Sequence, residues 1–421
     1  MSLSVRLRPI RARLLLLLAV VGPGIITANV DNDAGGIATY SIAGAHYGFS
    51  MLWMMPLVAL ALIIIQEMSA RLGVVSGKGL SSLIRESLGV RVTVVILGIL
   101  LIANLANTVS EFAGVAASME IFGVSKFISV PIAAVIVWLL IVKGNYKTVE
   151  RVFLAASAIY LAYVISGMLA KPDWHEVTLA AIHPTFHLDA GYLTIAVTII
   201  GTTIAPWMQF YQQSSIADKG LKPADISFER VDVVIGSIFA VLVASFITIA
   251  CASTLFKEGV TIASAKDAAL ALGPLAGKYA EILFAVGLLN ASIFSAAILP
   301  LSTAYVICEA FGWEAAVNRD WHEAPVFFSI YTGLIVLGAA IILLPIKSLV
   351  QAMISSQTLN GVLLPVILVV MLRLINDKRI MGKHTNSLVM NIINWLVVAI
   401  LILLTTLLII ATLFPGWLSH L

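Results

Sequence analysis

Two carboxylates flank an amide in Asp31-Asn32-Asp33, inside an otherwise apolar stretch that runs from Thr27 to the glycine pair Gly35-Gly36, shortly after Gly22-Pro23-Gly24. This is a poor helix at what should be mid-span. An ionised carboxylate in hydrocarbon costs at least ~2.5–3.5 kcal/mol, so it persists there only against a cavity or a partner. Unwound backbone beside anionic oxygen offers hard ligands to a hard cation, and such backbone is tolerated at depth only where it lines an enclosed or wet space. The alternative is that Asp31 and Asp33 lie in an interfacial loop between two short helices, which leaves the following stretch Ile37–Ala45 without a role.

A second irregularity is Gly201-Thr202-Thr203-Ile204-Ala205-Pro206-Trp207-Met208-Gln209. Pro206 removes a backbone donor, frees carbonyls one turn back and bends a helix. Taken alone it is a kink. Paired with the first break it becomes a pointer to a transporter site, because interrupted helices at corresponding positions of two halves mark inverted-repeat transporters.

The elements that must carry these breaks are membrane helices. The chain has 421 residues, 60% hydrophobic and 11% charged, against roughly 25% charged in a soluble domain. Apolar runs long enough to cross a bilayer predict eleven spans at 13–46, 50–71, 92–119, 126–143, 149–170, 192–216, 231–256, 276–311, 325–345, 347–373 and 387–414. The eighth, which holds Pro300, is expected to kink. Arg6, Arg8, Arg11 and Arg13 precede the apolar run Leu14–Val21 without a small-residue cleavage site, so this run is read as the first half of a retained helix. Lysines and arginines collect on one side in loop after loop, from the N-terminal arginines through Arg71, Lys147 and Arg230 to Lys383, which puts the N-terminus in the cytoplasm and the C-terminus outside a cell membrane. The spans divide into an all-α inverted repeat, 13–170 and 192–373, with an extra helix at 387–414, in one transporter domain covering 1–421.

The formal charge of +3 is dispersed between spans and implies no nucleic-acid partner. Cys251 and Cys308, both in apolar stretches, exclude a disulfide framework or a cysteine zinc motif. Asn104, Asn107 and Asn290 are expected to hydrogen-bond between helices. Trp53, Trp174 and Trp417 fit interfacial anchors. Gln357 and Asn360, three apart, share a helix face, either lining a cavity or bonding between helices.

At these residues the chain resembles the NRAMP family of divalent metal transporters. Asp33-Ala34-Gly35-Gly36 running on to Tyr47-Gly48-Phe49 matches the family's first-helix motif, and Gly22-Pro23-Gly24, Glu111-Phe112-Ala113-Gly114, Lys171-Pro172-Asp173-Trp174, Ser356-Gln357, Pro365 and Met381-Gly382 match further segments. The resemblance implies a LeuT-type fold and a metal site formed by Asp33, by the carbonyls of Val30 and Thr202, and by Ala205, Gln209 and Gln357. Asp31 either ligates through water, shapes the field of the cavity or is a solvated carboxylate at a helix end. Gln209 alternatively faces the outer vestibule. Gly36, Trp207 and Asn360 would shape the cavity. Glu111, Thr108 and Gln212 occupy positions associated with protons or polar networks, and Glu111 is either a structural carboxyl or a relay.

Departures from the family pattern are informative. Gly36 stands where the family has a metal-binding Asn, Ala205 where it has a metal-binding Met, Trp207 and Gln212 where it has His, and Thr108 where it has Asp. Losing the thioether removes the soft ligand that favours transition metals. Losing His, His and Asp removes groups able to carry a proton. The pattern resembles the magnesium-transporting branch of NRAMP-related proteins, which implies transport of Mg2+ and Mn2+ as substrates, without a cofactor and without proton coupling. The partners are then metal ions and lipid, and a monomer is compatible with the sequence.

Competing readings are a proton-coupled Mn2+/Fe2+ symporter, an organic-solute or amino-acid symporter, a channel and an intramembrane enzyme. Two aspartates at the break would repel a substrate carboxylate. No His-Glu-x-x-His, Gly-x-Ser-x-Gly or nucleotide loop is present.

Overall fold

The computed structural model describes residues 30, 32–143, 157–187, 189–315 and 321–414. The first half of the first span, Asp31, the start of the fifth span and Trp417 lie outside the described residues. Thirteen principal helices run in the order α1 (Ala34–Tyr47), α2 (Met54–Ser76), α3 (Leu80–Ile121), α4 (Lys126–Val142), α5 (Leu161–Leu169), α6 (Trp174–Ile182), α7 (Ala190–Thr203), α8 (Pro206–Asp218), α9 (Ile226–Cys251), α10 (Ala280–Phe311), α11 (Pro325–Leu343), α12 (Leu349–Ile375) and α13 (Leu388–Leu413). Eight stretches among the described residues are long and apolar enough to cross a membrane, and α4 is a shorter apolar helix. These correspond to the expected spans other than the first and fifth. Large apolar side chains face outward, with Ile102, Phe127 and Leu388 each more than 60% exposed. That much outward apolar surface requires lipid.

Two helical elements lie outside the expected spans. A short helical segment from Leu80 precedes the third span and meets it at a kink at Gly89 (φ 80°), so the spanning segment itself starts close to the expected residue 92. The first segment is bolted to the end of α10, with Ser81 Oγ donating to Glu309 Oε2 (3.0 Å) and Ser82 Oγ to the Glu309 carbonyl (3.2 Å). The loop before α7 contains α6, capped by Asp173, whose side chain accepts from the backbone N–H of His175 and Glu176. Pro300, where a kink is expected, lies within α10, which is helical from Ala280 to Phe311. Trp53 and Trp174, expected at the bilayer interface, also make protein contacts: Trp53 Nε1 donates to the Thr185 carbonyl (3.0 Å), and Trp174 packs edge-on against Phe246.

The core that positions the breaks depends on close backbone approach. α3 packs on α10 and α12, α7 on α12, and α9 on α1 and α2. A Cβ placed on Gly201 of α7 would lie 2.2 Å from the Gln357 carbonyl oxygen and 2.3 Å from the Gly361 nitrogen, and one on Gly361 would lie 2.4 Å from the Val197 carbonyl oxygen. Backbone cannot yield as a flexible side chain can. Gly361→Ala is therefore expected to destabilise the protein by roughly 1–3 kcal/mol through overpacking, read as a lowered midpoint of thermal unfolding in detergent.

Candidate metal site

The first break is closed by a cap. Asp33 is extended (φ −69°, ψ −176°), and its Oδ1 accepts from the Gly36 N–H at 2.6 Å, so α1 starts at this carboxylate. Asp is among the best N-cap residues because its oxygen satisfies an orphan helix donor. The preceding backbone is held from two sides: Tyr160 Oη donates to the Asn32 carbonyl (3.0 Å), and Asn32 Nδ2 reaches the Ala240 carbonyl (3.5 Å).

The second break lies between α7 and α8. Ile204 (φ −126°, ψ 58°) and the extended Ala205 separate the two helices, and Pro206 occupies the first position of α8. In a continuous helix the Thr202 carbonyl would accept from residue 206, which as proline has no N–H. Tyr40 Oη and Thr203 Oγ1 hydrogen-bond at 2.7 Å and tie α1 to the end of α7 at the second break.

Two other helices complete the site. From α12, Gln357 Nε2 donates to both Asp33 oxygens (3.3 and 3.1 Å). From α3, Glu111 Oε2 accepts from the Ala34 N–H (3.3 Å), and the Glu111 and Asp33 carboxyls meet. Asp33, Glu111, Gln357 and Thr202 are all buried. Among the described residues no group of three His, Cys, Asp or Glu side chains is placed to hold a metal. A cation here would draw the rest of its shell from carbonyls, amides and water.

The structure thus brings together Asp33, Gln357, Asn360 and Glu111, with Thr202 and Ala205 at the opposing break. Val30 is buried three residues before Asp33. Gly36 supplies the N–H that the Asp33 carboxylate accepts. Gln209 is fully buried on α8, and its backbone carbonyl accepts from Ser69 Oγ (2.7 Å). Trp207 is buried with its ring centroid 6.1 Å from that of Tyr211, and Gln212 is buried on the same helix. Thr108 is turned away from the polar network: its hydroxyl donates to the Asn104 carbonyl (2.7 Å), and its methyl faces Gly338. Asn104 bonds between helices as expected, to Thr303 (2.7 Å). The sequence reading missed Tyr40, Thr203 and Tyr160. The one available signal was that Tyr40 lies seven residues, about two helical turns, from Asp33.

A vestibule of about 950 Å³ opens at the end of the protein bearing His46, Glu120 and Lys347. Its lining includes Ile42, Ile195 and Ile354. Ile354 precedes Gln357 by three residues, roughly 4.5 Å of helix rise, so the vestibule stops about one turn short of the buried site.

Residues 24–411 match the Nramp family, described as natural resistance-associated macrophage protein-like. Similar curated relatives include divalent metal cation transporters MntH of Bacillus subtilis, 26% identical over 413 residues (94% of this chain, 93% of the relative), and of Aeromonas hydrophila, 28% identical over 415 residues (94% and 96%). Among solved structures, an Eremococcus coleocola manganese transporter superposes with a TM-score of 0.75 at 22% identity, covering 95% of this chain and 88% of its own. MHP1, a nucleobase-cation-symport-1 family transporter, superposes at 0.59 with 15% identity, covering 87% and 80%. The chain belongs to the Nramp family and is a multi-pass membrane transport protein of LeuT-type fold, not an enzyme.

Proposed function

We propose that this protein carries divalent metal cations across a cell membrane by alternating access, with Mg2+ as a partly hydrated ion the main substrate, Mn2+ also carried, and no obligatory proton coupling. The observation that carries the reading is Asp33, a buried carboxylate at the point where one half-helix begins, beside a second half-helix interrupted at Ala205-Pro206. The relatives named as divalent metal cation transporters support the general class. Support for Mg2+ comes from the donor set. Carboxylate and carbonyl oxygens suit a hard ion, and Gly36 and Ala205 are smaller than the Asn and Met of the family pattern, which suits an ion that gives up its water reluctantly, as Mg2+ does.

Absence of proton coupling is supported by what surrounds Glu111. Between Arg91 and Glu111, α3 carries no charged side chain, and neither does α11 along its whole length. A proton on Glu111 therefore has no charged side chain to pass to along α11 or along α3 toward Arg91, and the next carboxyl on α3 is Glu120, nine residues away at the vestibule. One observation favours the coupled alternative: Glu111 meets Asp33 directly, so a cation arriving at Asp33 would act on a proton held there.

Proteoliposomes loaded with Mg2+ and pH reporters test both points. Saturable Mg2+ uptake without lumenal acidification is the expected result. Mn2+ uptake that Mg2+ fails to inhibit would sink the magnesium reading, and acidification in step with metal entry would sink the uncoupled one. Glu111→Gln keeps an acceptor for the Ala34 N–H and removes the charge, so uptake by this variant is expected to stay within about threefold of wild type, the scale of one modest hydrogen-bond change, with no altered dependence on external pH.

A further inference from the structure

Behind Gln357 lies a pair of amides that the proposed transport step does not use. Asn107 of α3 and Asn360 of α12 exchange two hydrogen bonds, Asn107 Nδ2 to Asn360 Oδ1 (3.1 Å) and Asn360 Nδ2 to Asn107 Oδ1 (3.0 Å). The second proton on Asn360 Nδ2 goes to Gln357 Oε1 at 2.8 Å. Gln357 then has only its Nε2 left for Asp33, and it donates to both carboxylate oxygens. All three amides are 1% exposed or less.

An amide has one acceptor end and one donor end, so this arrangement has a direction. Turning Gln357 alone would set its NH2 against the NH2 of Asn360 and its oxygen against the Asp33 carboxylate. Turning either asparagine alone would break the reciprocal pair, and buried amides without partners are costly. We infer that Asn107 and Asn360 are positioning residues that hold the Gln357 amide with its donor end on Asp33, making Gln357 an internal competitor for the cation and so setting the apparent affinity of the site. A cation on Asp33 must displace that NH2 or reverse it to present Oε1, and the asparagine pair opposes either movement. The inference rests on Asp33 being the cation site.

The test is a double-mutant cycle in proteoliposomes, with Mg2+ and Mn2+ as the probes. Asn360→Ala releases Gln357 Oε1, and the KM for Mg2+ is expected to fall by about fivefold, the size of one neutral hydrogen bond, while Vmax falls because the ion leaves more slowly. In a Gln357→Ala background the same substitution is expected to leave KM unchanged, since the residue it positions is gone. Asn107→Ala, acting on the pair from α3, is expected to shift KM in the same direction with the same dependence on Gln357, and it serves should Asn360→Ala fail to fold. An unchanged or raised KM in the single variants, or a shift that persists without Gln357, overturns the inference and leaves the transport reading standing. A wild-type protein that moves neither ion overturns both.

Discussion

Asp33→Asn is expected to reduce Mg2+ and Mn2+ uptake by at least about 100-fold, equivalent to roughly 2.7 kcal/mol of lost interaction with the ion, while leaving the fold intact. Asp33 has two separable roles. Its charge is the proposed anchor for the cation, and its oxygen caps α1 through the Gly36 N–H. Asn caps a helix about as well as Asp, so Asp33→Asn removes the first role and keeps the second. Asp33→Ala removes both, and is expected to lose transport and also about 1 kcal/mol of stability. Uptake assays on equal amounts of reconstituted protein, beside thermal melts in detergent, separate the two. Transport by Asp33→Asn near the wild-type rate would place the ion elsewhere. Loss of transport together with loss of folding in both variants would mean that Asp33 acts through structure alone.

Ala205→Met is expected to move the preference between Mn2+ and Mg2+ toward Mn2+ by at least about tenfold, or roughly 1.4 kcal/mol. Ala205 is buried and extended, directly ahead of Pro206 at the second break. A thioether there adds a soft donor, which favours a transition metal. It also fills volume, so an arriving ion must shed water, a demand that falls harder on Mg2+. Ala205→Leu separates the two effects, because it adds similar bulk without sulfur and is expected to impair both ions. The measurement is the ratio of Vmax/KM for the two ions in each variant. Equal ratios in wild type and Ala205→Met would remove Ala205 from the neighbourhood of the ion.

Much of the architecture follows from rules that act within a few residues. Long apolar runs marked the spans because lipid tolerates no other surface, and Pro206 marked the second break because its missing N–H acts on the carbonyl one turn back. Asp33 stood out because a carboxylate inside an apolar run needs a reason to be there. The same rules failed where no apolar run signals a helix. The segment before Gly89 and the short helix α6 carry charged or polar faces, so hydropathy passed over both. Gln209 shows a related limit: a polar side chain near a break can offer an oxygen to an ion or face a vestibule, and its burial on α8 follows from the packing of that helix and not from its neighbours along the chain.

The residues of the chain on their own determined that this is a membrane protein built around two interrupted helices, with a hard anionic oxygen at one of them. Tertiary structure alone decided which groups face that oxygen. Gln357 reaches Asp33 across 324 residues of chain, Glu111 meets it from α3, and the direction of the Gln357 amide depends on Asn107 and Asn360 from two different helices. The reason is geometric. Hydropathy and capping are properties of neighbours along the chain, whereas the orientation of a buried amide is set by whichever donors and acceptors packing brings within about 3 Å of it.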